Sequence, residues 1–186
     1  MTDSQLPISE IRVSWQEYHR KIEILAHAIY QSGWEFNQIL CLARGGLRIG
    51  DTLSRIYNLP LAILSVASYG GLGDRVRGEL TFSQTISMTA PKLGSKVLLV
   101  DDLVDSGVTL VQTLSWLQQH HEDAIEEIKT AVIWYKACSE IAPNFYVDFL
   151  PDSPWIHQPF EVYERLQPSD LSARIFHCNT IDPETI

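Results

Sequence analysis

The chain has 186 residues, 45% of them hydrophobic, with 23 acidic and 14 basic side chains and a formal net charge of −9. That length supports one domain with a sizeable core and hardly two. An acidic chain with no Lys/Arg-rich run is a poor nucleic-acid binder, because phosphate-backbone affinity rests on clustered cations, but a small phosphorylated ligand needs only a few cations, backbone amides and a metal ion.

Residues 1–13 read as a leader with little pattern. Ser14-Trp15-Gln16-Glu17 fits a capping box, and Trp15, Tyr18, Ile22, Leu25 and Ile29 follow at helical spacing up to a stop at Gly33. Ile39 to Ala43 reads as a buried strand, Arg44-Gly45-Gly46 as a turn, 47–57 as a second helix and Leu61 to Val66 as another strand. From Ser68 to about Gly78 runs a glycine-rich loop, a length that inside a compact domain is functional or disordered. Residues 80–88 alternate weakly, as a strand does. Val97 to Val100 is a strand without a polar residue, as at the centre of a parallel sheet, and it ends in Asp101-Asp102. A helix over 108–120, a strand from Lys129 to Trp134 and a short strand from Tyr146 to Leu150 follow. Trp155 to Leu166 is aromatic and irregular, turning helical after Pro159. The alternation predicts an α/β fold: a single domain with a mostly parallel central sheet flanked by helices, preceded by a helical extension (1–36) and closed by a hood and tail (151–186).

The N-terminus has no basic stretch leading into an apolar block, so no signal peptide is expected, and no apolar run approaches the ~20 residues of a membrane span. A cytoplasmic protein with no membrane or nucleic-acid partner is the expectation. Cys41, Cys138 and Cys178 are far apart, and the apolar surroundings of Cys41 and Cys138 predict buried free thiols. The histidines show no HExxH or other ligand spacing, which argues against a metal hydrolase, and His120-His121 is expected at an exposed helix end.

In such sheets ligands bind at the carboxyl ends of the strands, where Arg44-Gly45-Gly46, Asp101-Asp102 and Lys136 all fall. The segment from Val97 to Leu110, VLLVDDLVDSGVTL, carries most of the chemistry. Adjacent carboxylates accept hydrogen bonds from neighbouring ribose hydroxyls or help to hold a divalent metal. Ser106 and Gly107 let backbone amides approach a phosphate, the following helix N-terminus adds partial positive charge, and the Ser106 and Thr109 hydroxyls add donors. The bland reading is a solvated acidic turn before an ordinary helix.

This segment resembles the phosphoribosyl pyrophosphate (PRPP) signature of the type I phosphoribosyltransferases. The resemblance implies that Asp101 and Asp102 engage the ribose 2- and 3-hydroxyls, with Asp102 near magnesium (Mg2+), and that Asp105, Ser106, Gly107, Val108 and Thr109 bind the 5-phosphate. It further implies that Asp105 sits beside N7 of a purine and manages its proton. The turn Arg44-Gly45-Gly46 is similar to the family's pyrophosphate loop, where a guanidinium and bare amides meet the diphosphate. Gly45 to Thr52 also approaches a nucleotide-binding P-loop, but Asp51 stands where that motif needs its lysine. Ser68-Tyr69 resembles the pair opening the family's mobile catalytic loop, with Arg77, and less directly Arg75, reaching the pyrophosphate on closure.

Lys136 follows a buried strand, where a lysine more often snorkels. In the 6-oxopurine branch of the family a lysine there donates to the 6-oxo oxygen. Trp155-Ile156-His157-Gln158-Pro159-Phe160 resembles the Trp-Ile-Glu-Gln-Pro-Trp segment of the bacterial xanthine-guanine phosphoribosyltransferases. By that resemblance Trp155 stacks on the purine and the Ile156 backbone reads its far edge. His157 and Phe160 depart from the segment, which leaves the base preference open. Taken together, the resemblance implies phosphoribosyl transfer from PRPP to xanthine, guanine or hypoxanthine. Asp105 and Arg44 would be catalytic, Mg2+ the cofactor, and the chain a homo-oligomer, as relatives are. Two other readings share the fold: a regulator that senses PRPP or a nucleotide, and an enzyme for another base such as uracil or orotate.

Overall fold

A computed structural model describes residues 9–68 and 80–171. In chain order the elements are β1 (Glu10–Arg12), α1 (Trp15–Gln31), β2 (Gln38–Ala43), α2 (Leu47–Tyr57), β3 (Leu61–Ser68), β4 (Leu80–Phe82), β5 (Ser87–Met88), β6 (Lys96–Val100), β7 (Leu103–Val104), α3 (Val108–His121), β8 (Glu127–Lys136), β9 (Phe145–Leu150), β10 (Trp155–His157) and α4 (Val162–Arg165).

The main sheet runs β4-β3-β2-β6-β8, and its pairings are parallel apart from the two short strands β4 and β5 that fold back on β3. Strands β6 and β7 lie end to end along one edge of β8, pairing with Glu127–Ala131 and with Trp134–Tyr135, while β9 pairs along the opposite edge. Alternate residues feed two cores. Ile39, Cys41, Leu98, Val100, Ala131 and Ile133 pack with α1 and α2, whereas Leu40, Leu42, Val97, Leu99 and Val132 pack with Leu110 and Leu117 of α3. The α/β class with a mostly parallel, helix-flanked sheet is therefore as the alternation predicts.

Local signals act where expected. The Ser14 hydroxyl accepts the Glu17 amide at 3.1 Å to start α1, and Tyr18, Ile22, Leu25 and Ile29 are fully buried on its inner face. Gly33, at φ +68°, turns the chain out of the helix.

Three expectations change. The leader is not patternless: Glu10–Arg12 forms β1, parallel to β10, in a separate two-stranded sheet. Residues 80–88 form two short strands rather than one, each antiparallel to β3. Ser68 ends β3 rather than opening a loop. Tyr69, Arg75 and Arg77 lie outside the described residues, as does Cys178.

Candidate active site

Two adjacent aspartates at a strand end need something to hold them, and β8 does so through its backbone. The Asp101 amide donates to the Ala131 carbonyl at 3.1 Å, and the Asp102 carbonyl accepts from both the Ile133 and Trp134 amides at 3.1 and 3.2 Å. The pair thus occupies the break between β6 and β7, with both main chains fixed to one strand. Asp101 Oδ1 accepts the Asp102 amide at 3.0 Å, and Asp102 Oδ2 accepts from the Gln158 side-chain amide. Burial raises the pKa of both carboxyls, Asp101 well above the ordinary aspartate value because the Asp102 charge adds to the penalty. The Gln158 amide and the backbone amides around Asp102 pull its value part of the way back.

The arginine turn lies against this pair. A side chain at Gly45 would collide with the carboxylates of Asp101 and Asp102, and one at Gly46 with the Val100 carbonyl at the end of β6. Both glycines therefore allow the turn to close on the acids. Arg44 itself is exposed, and its guanidinium reaches Glu164 of α4 at 3.5 Å. Between turn, acids and hood opens a cleft of about 1090 Å³ whose lining includes Arg44, Gly45, Asp101, Asp102, Thr109 and Trp155.

Beyond the acids a second group gathers. Lys136 ends β8 and is 6% exposed, so it does not snorkel into solvent. Its ammonium meets Asp105 Oδ2 at 3.3 Å, because Asp105 follows β7, the immediate parallel neighbour of the end of β8. Asp105, Ser106, Gly107, Val108 and Lys136 are not part of the cleft's lining and form an adjoining patch. Gly107 stands at φ +85° as the N-cap of α3, and a side chain there would strike Ser139 and Ile141. Its lack of a side chain serves close packing and a left-handed turn. The first-turn amides of α3 have no carbonyl one turn back to bond.

Cys138 was expected to be buried and is exposed. Strand β8 stops at Lys136, so the thiol falls past the apolar run, with Sγ at 3.5 Å from both the Asp105 carbonyl and its Oδ1. Cys41 is buried as expected, and burial pushes its thiol up to about 12.

The Trp155 side chain is 58% exposed at the cleft, free to stack. The Trp155 amide donates to the Ser9 carbonyl at 2.9 Å and the His157 carbonyl accepts the Val13 amide at 3.1 Å. Strand alternation then turns the amide and carbonyl of Ile156 to the other edge of β10, away from β1, while its side chain is buried. The two departures from the resembled segment have other work. His157 lies between Glu10 at 3.3 Å and Glu161 at 3.8 Å, and the Phe160 ring packs on Tyr18 under the Arg48 guanidinium, 4.3 Å from its centroid.

Sequence reasoning missed Gln158, Cys138, Arg48 and Glu164 as site neighbours. For Gln158 a signal existed, since it stands within the resembled segment. The others touch the site only through tertiary contacts that spacing does not show. Among the described residues no cluster of three or more His, Cys, Asp or Glu side chains is arranged to hold a metal ion by itself.

Comparison with known proteins now decides the family, because the phosphoribosyl transferase domain matches residues 14–165, from the cap of α1 to the end of α4. This chain belongs to the phosphoribosyltransferase family. It is 28% identical over 156 residues to a xanthine-guanine phosphoribosyltransferase of Idiomarina loihiensis, which covers 83% of this chain and 88% of the other. A purine phosphoribosyltransferase structure from Pyrococcus horikoshii is similar with a TM-score of 0.62 at 26% identity, covering 82% of this chain and 94% of that one. A Helicobacter pylori xanthine-guanine-hypoxanthine phosphoribosyltransferase has the same fold, with a TM-score of 0.66 at 22% identity over 89% of this chain and 99% of that one. The match begins at Ser14, so α1, outside the motif resemblance, is part of the family domain. No described helix is long and apolar enough to cross a membrane.

Proposed function

We propose that this protein transfers the 5-phosphoribosyl group of PRPP to a 6-oxopurine, releasing pyrophosphate. The observation that carries the reading is the buried Lys136 ammonium 3.3 Å from the Asp105 carboxylate, one strand end away from the acidic pair. A cation that can donate to a 6-oxo group and an acid that can take an N7 proton lie side by side. Adenine, whose 6-amino group is itself a donor, would meet a donor in Lys136. Relatives whose names include xanthine, guanine and hypoxanthine support the same substrate class.

Asp101 and Asp102 bind the ribose hydroxyls in this reading, and the turn from Asp105 to Thr109 takes the 5-phosphate with the amides that open α3. Trp155 stacks on the base while the outward amide and carbonyl of Ile156 meet its edge. Arg44 and the Gly45 amide receive the pyrophosphate in this reading, and Ser68, Tyr69 and Arg77 are proposed as further PRPP contacts. Two carboxyls raised by burial suit a divalent cation, which would relieve their mutual repulsion. With too few ligands for a protein-only site, they suit magnesium shared with the substrate's phosphates. Asp102 would hold that ion, which neutralises charge on the leaving group. The sugar passes through oxocarbenium character as the C1–O bond to pyrophosphate breaks and the purine nitrogen attacks C1. Arg44 binds the growing leaving-group charge more tightly than the ground state, and Asp105 takes the N7 proton.

Incubating the protein with PRPP, magnesium and a panel of radiolabelled bases tests this directly. Turnover of at least one of xanthine, guanine and hypoxanthine, and none of adenine, uracil or orotate, is expected. Turnover of none favours a PRPP- or nucleotide-sensing regulator. In Asp105→Ala, kcat should fall about 100-fold, the low end of general-base contributions, while PRPP affinity changes far less. An unchanged kcat removes Asp105 from proton transfer.

A further inference from the structure

Gln158 sits where the base arm and the sugar acid meet. It follows β10 by one residue, so it is joined through His157 to Ile156 and Trp155, and its side-chain amide donates to Asp102 Oδ2. That is the single hydrogen bond its side chain makes among the described residues, and its own oxygen is buried without a donor from them. A buried amide oxygen left unpaired is destabilising, so packing alone does not favour a glutamine here. The next contact of the arm is two residues on, where Phe160 packs against Tyr18 and under Arg48. Between the β1 pairing and the Phe160 anchor, the Gln158 amide is what ties the arm to the floor of the cleft.

We infer that Gln158 is a positioning residue that couples the base-binding arm to Asp102, so that the placement of Trp155 and Ile156 depends on what Asp102 holds. This rests on the transferase reading for its substrates and on the Gln158–Asp102 bond for its physics. When Asp102 is turned and fixed by a bound sugar, the amide follows it and carries the arm into place. The base therefore finds a better-formed site after PRPP than before. Linkage makes the effect reciprocal, and a bound base strengthens the hold on PRPP by the same factor. A charge-assisted hydrogen bond of ordinary strength supports a coupling of about tenfold.

Gln158→Met keeps length and volume and removes the amide donor together with the unpaired oxygen. In the full-length protein, the wild-type KM for the accepted 6-oxopurine should fall about tenfold from limiting to saturating PRPP, and in Gln158→Met it should hardly change, with kcat kept within about threefold. Hydrogen–deuterium exchange without substrates gives a readout that needs no activity. Amides over 155–162 should exchange about tenfold faster in the variant, while those of α1 and α2 keep their wild-type rates. Unchanged KM coupling in an active variant overturns the inference, as does a fall in kcat alone. Unchanged exchange over 155–162 overturns it as well. If the wild type turns over no base, the transferase reading fails, and exchange alone decides whether Gln158 tethers the arm.

Discussion

The acidic pair and the arginine turn face each other across one cleft, but they are held by different means. Asp101 and Asp102 are fixed by main-chain hydrogen bonds to β8 on an apolar floor, and their carboxyls carry a burial penalty. Arg44 is held by its glycine neighbours' close approach, while its guanidinium stays 85% exposed and, among the described residues, pairs with a 58% exposed Glu164. The first arrangement fixes geometry at the cost of burying unfavourable charge. The second leaves a cation loosely held and ready to change partner. Changes on the buried side should therefore cost far more than changes at the mouth.

Gly107 is the harshest place to break that contrast. Its φ of +85° and its contact with Ser139 and Ile141 leave no space for a methyl group, so Gly107→Ala must shift either the turn or the 137–141 segment. A misplacement of about 1 Å of a substrate-positioning element is worth roughly 100-fold in rate, and this turn is the one proposed to take the 5-phosphate. We expect kcat/KM for PRPP to fall at least that far, with a stability loss of about 2 kcal/mol from the strained backbone and overpacking. Wild-type kinetics in this variant would show that the turn has slack.

Asp101→Asn comes next, and it should separate stability from function. The carboxyl's folded pKa lies above its unfolded one, so the folded state binds more protons between the two values. Stability then falls as pH rises through that window and stays reduced at neutral pH. The amide cannot ionise and escapes this penalty. Asp101→Asn should raise Tm at pH 7, where ~1 kcal/mol corresponds to about 2–4 °C for a chain of this size, and show no gain at a pH below the ordinary aspartate value. Losing one charged hydrogen-bond partner of about 2 kcal/mol should cut kcat/KM for PRPP about thirtyfold. Calorimetry across pH, with kinetics at neutral pH, checks both. An equal Tm gain at low pH would deny that charge is the cause.

The same contrast explains what the sequence revealed. Two carboxylates after four apolar residues are legible because burying charge without purpose is costly, and the run of β6 can only be a central strand. Helix α1 announces itself by period, cap and glycine stop. Strand β1 is illegible, with three residues, two of them exposed and charged, whose partner β10 lies at the far end of the chain. Cys138 was misread because its apolar neighbours belong to β8 and the strand ends two residues before the thiol. The Lys136–Asp105 pair was half legible: the positions at strand ends could be read, but not the register that puts β7 beside Trp134 and Tyr135. Contacts made by register, as opposed to period, leave no local trace.

The smallest effect belongs to the mouth. Glu164 is a carboxylate placed beside the cation that would receive pyrophosphate, so it competes weakly with the substrate for Arg44. An exposed ion pair at 3.5 Å is worth under about 1 kcal/mol and is screened by salt. Glu164→Gln should therefore lower KM for PRPP by about twofold at low ionic strength, and the advantage should vanish by roughly 0.5 M salt, where the Debye length is about 4 Å. Stability should not move measurably. A tenfold change, or one that persists in high salt, would mean that α4 positions Arg44 by shape, and the mouth would then be built as firmly as the floor.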